Sequence, residues 1–222
     1  MGIGGYMMKI SKYILIFSSI LVLAGCNFGE STEVKLSNIL TEIYDLEADY
    51  RDVQKELAET ESKEQANFQQ MMELTKDQKE ELTTMVEDTA TLLETRLALV
   101  EKEAASLNAT SDGIKQISTV ISETKEASEK ESLKQMETAL EERITAYEDV
   151  TITYNELAIM QQDLYNMLVD ESADVTAIQE QVQEVNIHNE LVQQSVQKFN
   201  DATARVNEVK EEVLTSLQKE EK

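Results

Sequence analysis

The chain has 222 residues, with 20 Lys and Arg against 44 Asp and Glu, and its formal charge of -24 excludes the basic footprint of a nucleic-acid binder. Hydrophobic residues make up 41% and aromatic ones 5%, which is too apolar for a solvated acidic tail and implies a core of aliphatic side chains. One cysteine and one histidine exclude a disulfide framework, a cysteine-based zinc site and most histidine-dependent active sites.

Lys9 and Lys12 are followed by an uncharged run from Tyr13 to Val22 and then by Leu23-Ala24-Gly25-Cys26, the layout of an export signal. The uncharged stretch ending at Gly25 is 13 residues long, short of the roughly 20 that a membrane-spanning helix needs. Leu23, Ala24, Gly25 and Cys26 resemble the lipobox of bacterial lipoproteins. That resemblance implies cleavage before Cys26 and alkylation of its thiol by diacylglycerol, with acyl chains such as palmitate; no other cofactor is expected. Residues 1–25 then form the signal peptide, 26–33 the lipidated cysteine and a short tether, and 34–222 an acidic helical bundle domain. Two acyl chains hold a protein stably on a membrane, at about 0.8 kcal/mol per buried CH₂. N-myristoylation at Gly2 is disfavoured because Tyr6 stands where Ser or Thr is wanted. Losing Lys9 and Lys12 with the signal takes the charge from -24 to -26.

From Leu36 the apolar residues step by three and four through Ile39, Ile43, Leu46, Tyr50, Val53 and Leu57, a coiled-coil type of seam. It fades from Glu59 to Asn67, where the chain is either a solvated mid-helix region or a tight turn, and it resumes at Met71 and Leu74 and again from Val86 to Leu107. Thr75 and Gln78 fit a capping box and mark a second candidate break. Asn108 to Gly113 gathers turn formers around the one glycine left inside the domain and predicts a helix-to-helix loop. A second long helix then opens at Ile114, its seam weakening through the charged run Glu123 to Glu131 and running on from Leu133 to Leu168. Asp170 to Asp174 interrupts it, with Ser172 or Asp170 as the expected N-cap of a last helix carrying Val175 to Leu217.

With no proline and short loops, the chain predicts an all-α, antiparallel up-and-down bundle of long, coiled-coil-like helices. Four helices are favoured, because one helix from Thr32 to Leu107 would be about 110 Å long and would leave the Leu36 to Leu57 seam overhanging. Three spectrin-like helices, with that seam buried by a partner chain, are the alternative.

Candidate chemistry is scarce. His188 lies one turn after Glu184, but one histidine and one carboxylate make half a metal site, so no metal is expected and His188 reads as a partly exposed flank residue. The carboxylate pairs Glu141 with Glu142 and Glu211 with Glu212 read as a solvated face. Tyr50, Tyr147 and Tyr154 occupy seam positions and are expected in the core. Tyr44 and Tyr165, beside the seam, are the expected exposed pair and the candidate ligand contacts. Met71, Met72, Met136, Met160 and Met167 read as adaptable core filler. No nucleophile, histidine partner or metal set is present, so no enzyme is expected.

A lysine-flanked signal ending in Leu23-Ala24-Gly25-Cys26, followed by about two hundred acidic, proline-free residues of three-four periodicity, resembles the cell-wall-binding lipoproteins of Bacilli, the YkyA-like family. The resemblance covers nearly the whole chain and implies a lipid anchor on the outer face of a Gram-positive membrane, with no catalytic residues. The function it implies is non-catalytic binding, with peptidoglycan or another wall component as partner. The alternative is a structural or adaptor lipoprotein whose Leu36 to Leu57 seam pairs with another envelope protein. Net charge argues against direct contact with anionic wall polymers.

Overall fold

The three-four spacing of apolar residues and the lack of proline leave the backbone one economical way to satisfy its hydrogen bonds, the α-helix. A computed structural model of the chain describes residues 30–220. Six helices account for most of them: α1 (Thr32–Leu46), α2 (Ala48–Met71), α3 (Lys79–Ala109), α4 (Ser111–Glu123), α5 (Ala127–Val169) and α6 (Val175–Glu220). No strand occurs among the described residues. α1 leads into α2 across Glu47 alone, and α3 into α4 across Thr110 alone, so six helices make four long runs in an all-α helical bundle. Cys26 and Leu23 to Gly25 lie outside the described residues.

The turns fall in places other than the main expectations. The stretch from Glu59 to Asn67 is uninterrupted helix, and the chain reverses after Met71, where Thr75 and Gln78 form the capping box of a short 3-10 turn, Lys76–Gln78. The seam fades there because buried polar residues continue it. Thr60 is buried with its hydroxyl bonded to the Glu56 carbonyl, and Glu64 is buried against an arginine. Nor is Asn108 to Gly113 a loop. Gly113 is a buried helical residue whose missing side chain admits α1: a Cβ there would lie 2.7 Å from Cγ1 of Ile43. The reversal comes instead inside the charged run, at 124–126, where the Thr124 hydroxyl caps α4 by donating to the Val120 carbonyl at 2.8 Å. The interruption at Asp170 to Asp174 is present, but Asp174 supplies the N-cap of α6, accepting from the Thr176 N–H at 3.2 Å. Asp170 closes a local turn with Ser172.

Two compact units divide the chain, and the long helices run through both. The first contains residues 53–102 and 149–195. Its interior holds Val53, Leu57, Leu93, Leu157, Leu164 and Val192. Antiparallel pairing there is seen where Asn67 donates to Thr89 at 3.1 Å and Gln181 to the Met160 carbonyl at 2.9 Å. The second contains residues 30–52, 103–148 and 196–220. Its core is a continuous apolar cluster in which Leu36, Ile43, Ile117, Leu133, Met136 and Val206 are fully buried. The Leu36 to Leu57 seam is therefore buried by the chain's own helices, not left overhanging for a partner, apart from Leu46 at 38% exposure.

The break between α1 and α2 has a specific cause. A continuous helix would bond the Tyr50 N–H to the Leu46 carbonyl. The Ser106 hydroxyl occupies that gap, accepting from Tyr50 at 3.1 Å and donating to Leu46 at 2.8 Å. A side chain inserted into the helical ladder is a recognised origin of such kinks.

Two variants test these contacts. Gly113→Ala gains helix propensity but meets Ile43, so it is expected to lower stability by about 1 kcal/mol in urea unfolding, where an unobstructed helical site would gain. Ser106→Ala removes both hydrogen bonds at the kink and is expected to cost about 1–2 kcal/mol, with faster amide exchange at Tyr50.

Candidate functional site

In an acidic bundle, a surface feature other than solvated carboxylate stands out. One lies between α1 and α4, which pack directly on each other within the second unit. α1 presents Lys35, Asn38 and Glu42 at helical spacing beside its apolar stripe, and α4 presents Gln116, Thr119 and Glu123 in the same way. They flank an open groove of about 330 Å³ whose floor is Ile39 and Val120, both nearly buried, with Glu30 at one rim. Polar contacts tie the walls together. Lys35 Nζ lies 2.8 Å from Glu123, the Asn38 amide donates to Glu30 at 2.7 Å, and the Gln116 amide donates to Glu42 at 3.1 Å.

The groove's side chains offer hydrogen bonds and charge. The hydrogen bond and charge of Glu123 raise the Lys35 pKa above its ordinary 10.5, so the side chain stays an ammonium donor and not a nucleophile. The Asn38 and Gln116 amides and the Thr119 hydroxyl stand above the aliphatic floor among Lys35, Glu30, Glu42 and Glu123.

Of the sequence-based candidates, Tyr44 is half-buried, packs on the core cluster and has the Arg51 guanidinium 3.8 Å above its ring. Tyr165 corrects the expectation of exposure: it is 1% exposed, packs on Phe68 and donates to Glu64 at 2.7 Å. Leu164 beside it is buried too, because α5 is covered over a wider arc than a two-residue seam. Tyr50, Tyr147 and Tyr154 are core residues as expected. His188 is half-buried, with Nδ1 3.1 Å from the Glu184 carbonyl of its own helix. Glu141, Glu142, Glu211 and Glu212 are exposed. Among the methionines, Met71 and Met136 are core but Met72 is 40% exposed. Among the described residues no group of three or more His, Cys, Asp or Glu side chains is placed to hold a metal, and no helix is long and apolar enough to cross a membrane.

The interior holds the charges that the sequence left unplaced. In the first unit Arg96 reaches Glu64 at 3.1 Å, bonds Gln161 and lies 5.0 Å from the Tyr154 ring centre. In the second unit Arg143 forms a two-pronged pair with Glu47, one prong at 3.2 Å, and donates to Thr203 at 3.0 Å. Tyr147 donates to Glu103 at 2.6 Å. Burial pushes the phenols of Tyr154 and Tyr165 well above their ordinary value, so they remain donors to Glu61 and Glu64 at any working pH. These are structural pairs, and all but the part-buried Tyr154–Glu61 contact are closed to solvent.

The sequence alone does not mark the groove residues, because two matched polar flanks on α1 and α4 have meaning only once those helices are neighbours. Among known proteins, the model of the YkyA family, described as putative cell-wall binding lipoprotein, matches residues 31–216. No curated protein and no solved structure matches the chain.

Glu64 generates a pH prediction. Burial raises its carboxyl pKa above 4.5, against the opposing pull of Arg96 and the Tyr165 hydrogen bond. The folded state thus holds this proton more firmly than the unfolded one, so Glu64's contribution to stability is greatest below pH 4.5 and falls as pH rises through that value to the raised one. The wild type is expected to lose more unfolding free energy between pH 4.5 and 7 than Glu64→Gln does, in urea titrations at each pH.

Proposed function

We propose, from the premise that the chain belongs to the YkyA family, that it is a lipid-anchored, non-catalytic binding lipoprotein on the outer face of the cell membrane, and that its ligand is a neutral segment of the cell wall. The observation that supports this reading is the α1–α4 groove, where the uncharged side chains of Asn38, Gln116 and Thr119, set among Lys35 and three carboxylates, overlie an apolar floor.

Charge decides which part of the wall fits. A chain of net charge -26 after signal removal repels anionic polymers, and within a Debye length of about 8–10 Å that repulsion is only partly screened. A glycan or a peptide stem supplies neutral hydroxyl and amide groups for Asn38, Gln116 and Thr119 without that cost. Lipidation at Cys26 supplies the anchor. Glu30 follows Cys26 by four residues, so the groove rim lies within about 14 Å of the anchoring residue along even an extended chain. The wall material within reach is then the layer nearest the membrane.

Co-sedimentation of a chain starting at Asn27 with purified sacculi, with and without teichoic acid and across salt and divalent cation, tests the reading. Saturable binding that survives 300 mM salt is expected, weakened about tenfold in Asn38→Ala/Gln116→Ala. No binding under any condition, or wild-type binding by that variant, would overturn it.

A further inference from the structure

Residues 144–197 contain ten Asp or Glu and no Lys or Arg. Its part within the first unit, residues 149–195, forms the hairpin of α5 and α6, held where Thr153 donates to Ser195 at 3.2 Å and Gln181 to the Met160 carbonyl at 2.9 Å. Tyr154, Leu157, Leu164, Val185 and Val192 fill its inner side. On α5, Ile152, Glu156, Ile159 and Asp163 follow one another by four, three and four residues and form one exposed stripe. On α6, Glu180, Glu184, Ile187 and Leu191 do the same. Ile152 is 56% exposed, Ile159 64%, Ile187 50% and Leu191 38%. These are four of the seven large apolar side chains that the described residues expose.

We propose that the outer face of the α5–α6 hairpin is a docking surface for a basic amphipathic helix of a protein partner. The α5 stripe alternates apolar and acidic residues and the α6 stripe sets two carboxylates before two apolar residues, so the occupant must offer apolar side chains flanked by cations. A second copy of this face would set like charges against each other, and an anionic lipid surface or wall polymer would do the same. The repeat favours a helix: Ile152 and Ile159 are two turns apart, about 10.5 Å along the axis, the spacing of successive seam residues in a facing helix. Its Lys or Arg side chains then meet Glu156, Asp163, Glu180 and Glu184, and its apolar face covers the isoleucines. This inference is independent of the α1–α4 groove, and a chain that binds no wall material would keep it.

The test uses the chain starting at Asn27, which retains every described residue, and a synthetic 21-residue Lys/Leu peptide with leucines at heptad spacing. A second peptide of the same composition in scrambled order is the control. Titration calorimetry is expected to show the patterned peptide binding at least tenfold more tightly, with its helicity rising on binding by circular dichroism. Ile159→Asn/Ile187→Asn and, separately, Glu156→Lys/Asp163→Lys should each weaken it at least tenfold, whereas Glu211→Lys/Glu212→Lys, elsewhere on α6, should stay within twofold. Should the first variant fail to fold, Ile152→Ser/Leu191→Ser replaces it. Equal affinity for the two peptides, or unchanged affinity in the apolar variants, overturns the proposal. So does sedimentation showing a dimer that Ile159→Asn abolishes, or apolar-dependent binding to phosphatidylglycerol vesicles.

Discussion

Every carboxylate that enters the interior of this acidic bundle must find a donor there, and the packing is arranged around that requirement. Glu47, Glu64 and Glu103 are at most 3% exposed. Arg143 meets the first, Arg96 and Tyr165 the second, and Tyr147 the third. Two of the chain's four arginines are used in this way, one in each unit. A buried pair of this kind adds little net stability over an apolar substitute, yet loss of one partner strands a charge, at a cost of about 3–5 kcal/mol. Its structural effect is on register. Sliding a helix by one turn, about 5.4 Å, separates the charges while leaving aliphatic contacts almost equivalent. In a bundle built mainly of Leu, Ile and Val seams, which tolerate such slips, the pairs single out one alignment.

Around these pairs the aromatic residues act as linkers between polar and apolar layers. In the second unit Tyr50, Tyr147 and Phe199 pack edge to face at 5.0–5.9 Å, with the Arg143 guanidinium 5.1 Å from the Phe199 ring centre. In the first, Tyr154 and Tyr165 turn their hydroxyls to Glu61 and Glu64 while Phe68 packs on Tyr165. Tyr50, Tyr147, Tyr154 and Tyr165 are thereby withdrawn from the surface.

The surface divides accordingly. In the second unit, where the apolar core is continuous, the notable feature is a polar groove with an aliphatic floor. In the first, the notable feature is exposed isoleucine set among carboxylates. The proposed ligand of the first is neutral and that of the second cationic and amphipathic, and the chain's negative charge disfavours anionic partners at both.

The residues by themselves determined the helical class, the acidic exterior and the core placement of Tyr50, Tyr147 and Tyr154, and favoured four long runs over three, because periodicity and the absence of proline act locally along the chain. The reversal at Asp170 to Asp174 was legible for the same reason, its capping residue less so. Only tertiary structure decided the other turns. A fading seam at Thr60 and Glu64 looks like a loop until Arg96 is seen across from it, and Gly113 looks like a turn residue until Ile43 is found against it. Tyr165 is buried and the α1–α4 groove exists for the same reason: each depends on which helix lies opposite, and that is settled by pairing between residues far apart in the chain.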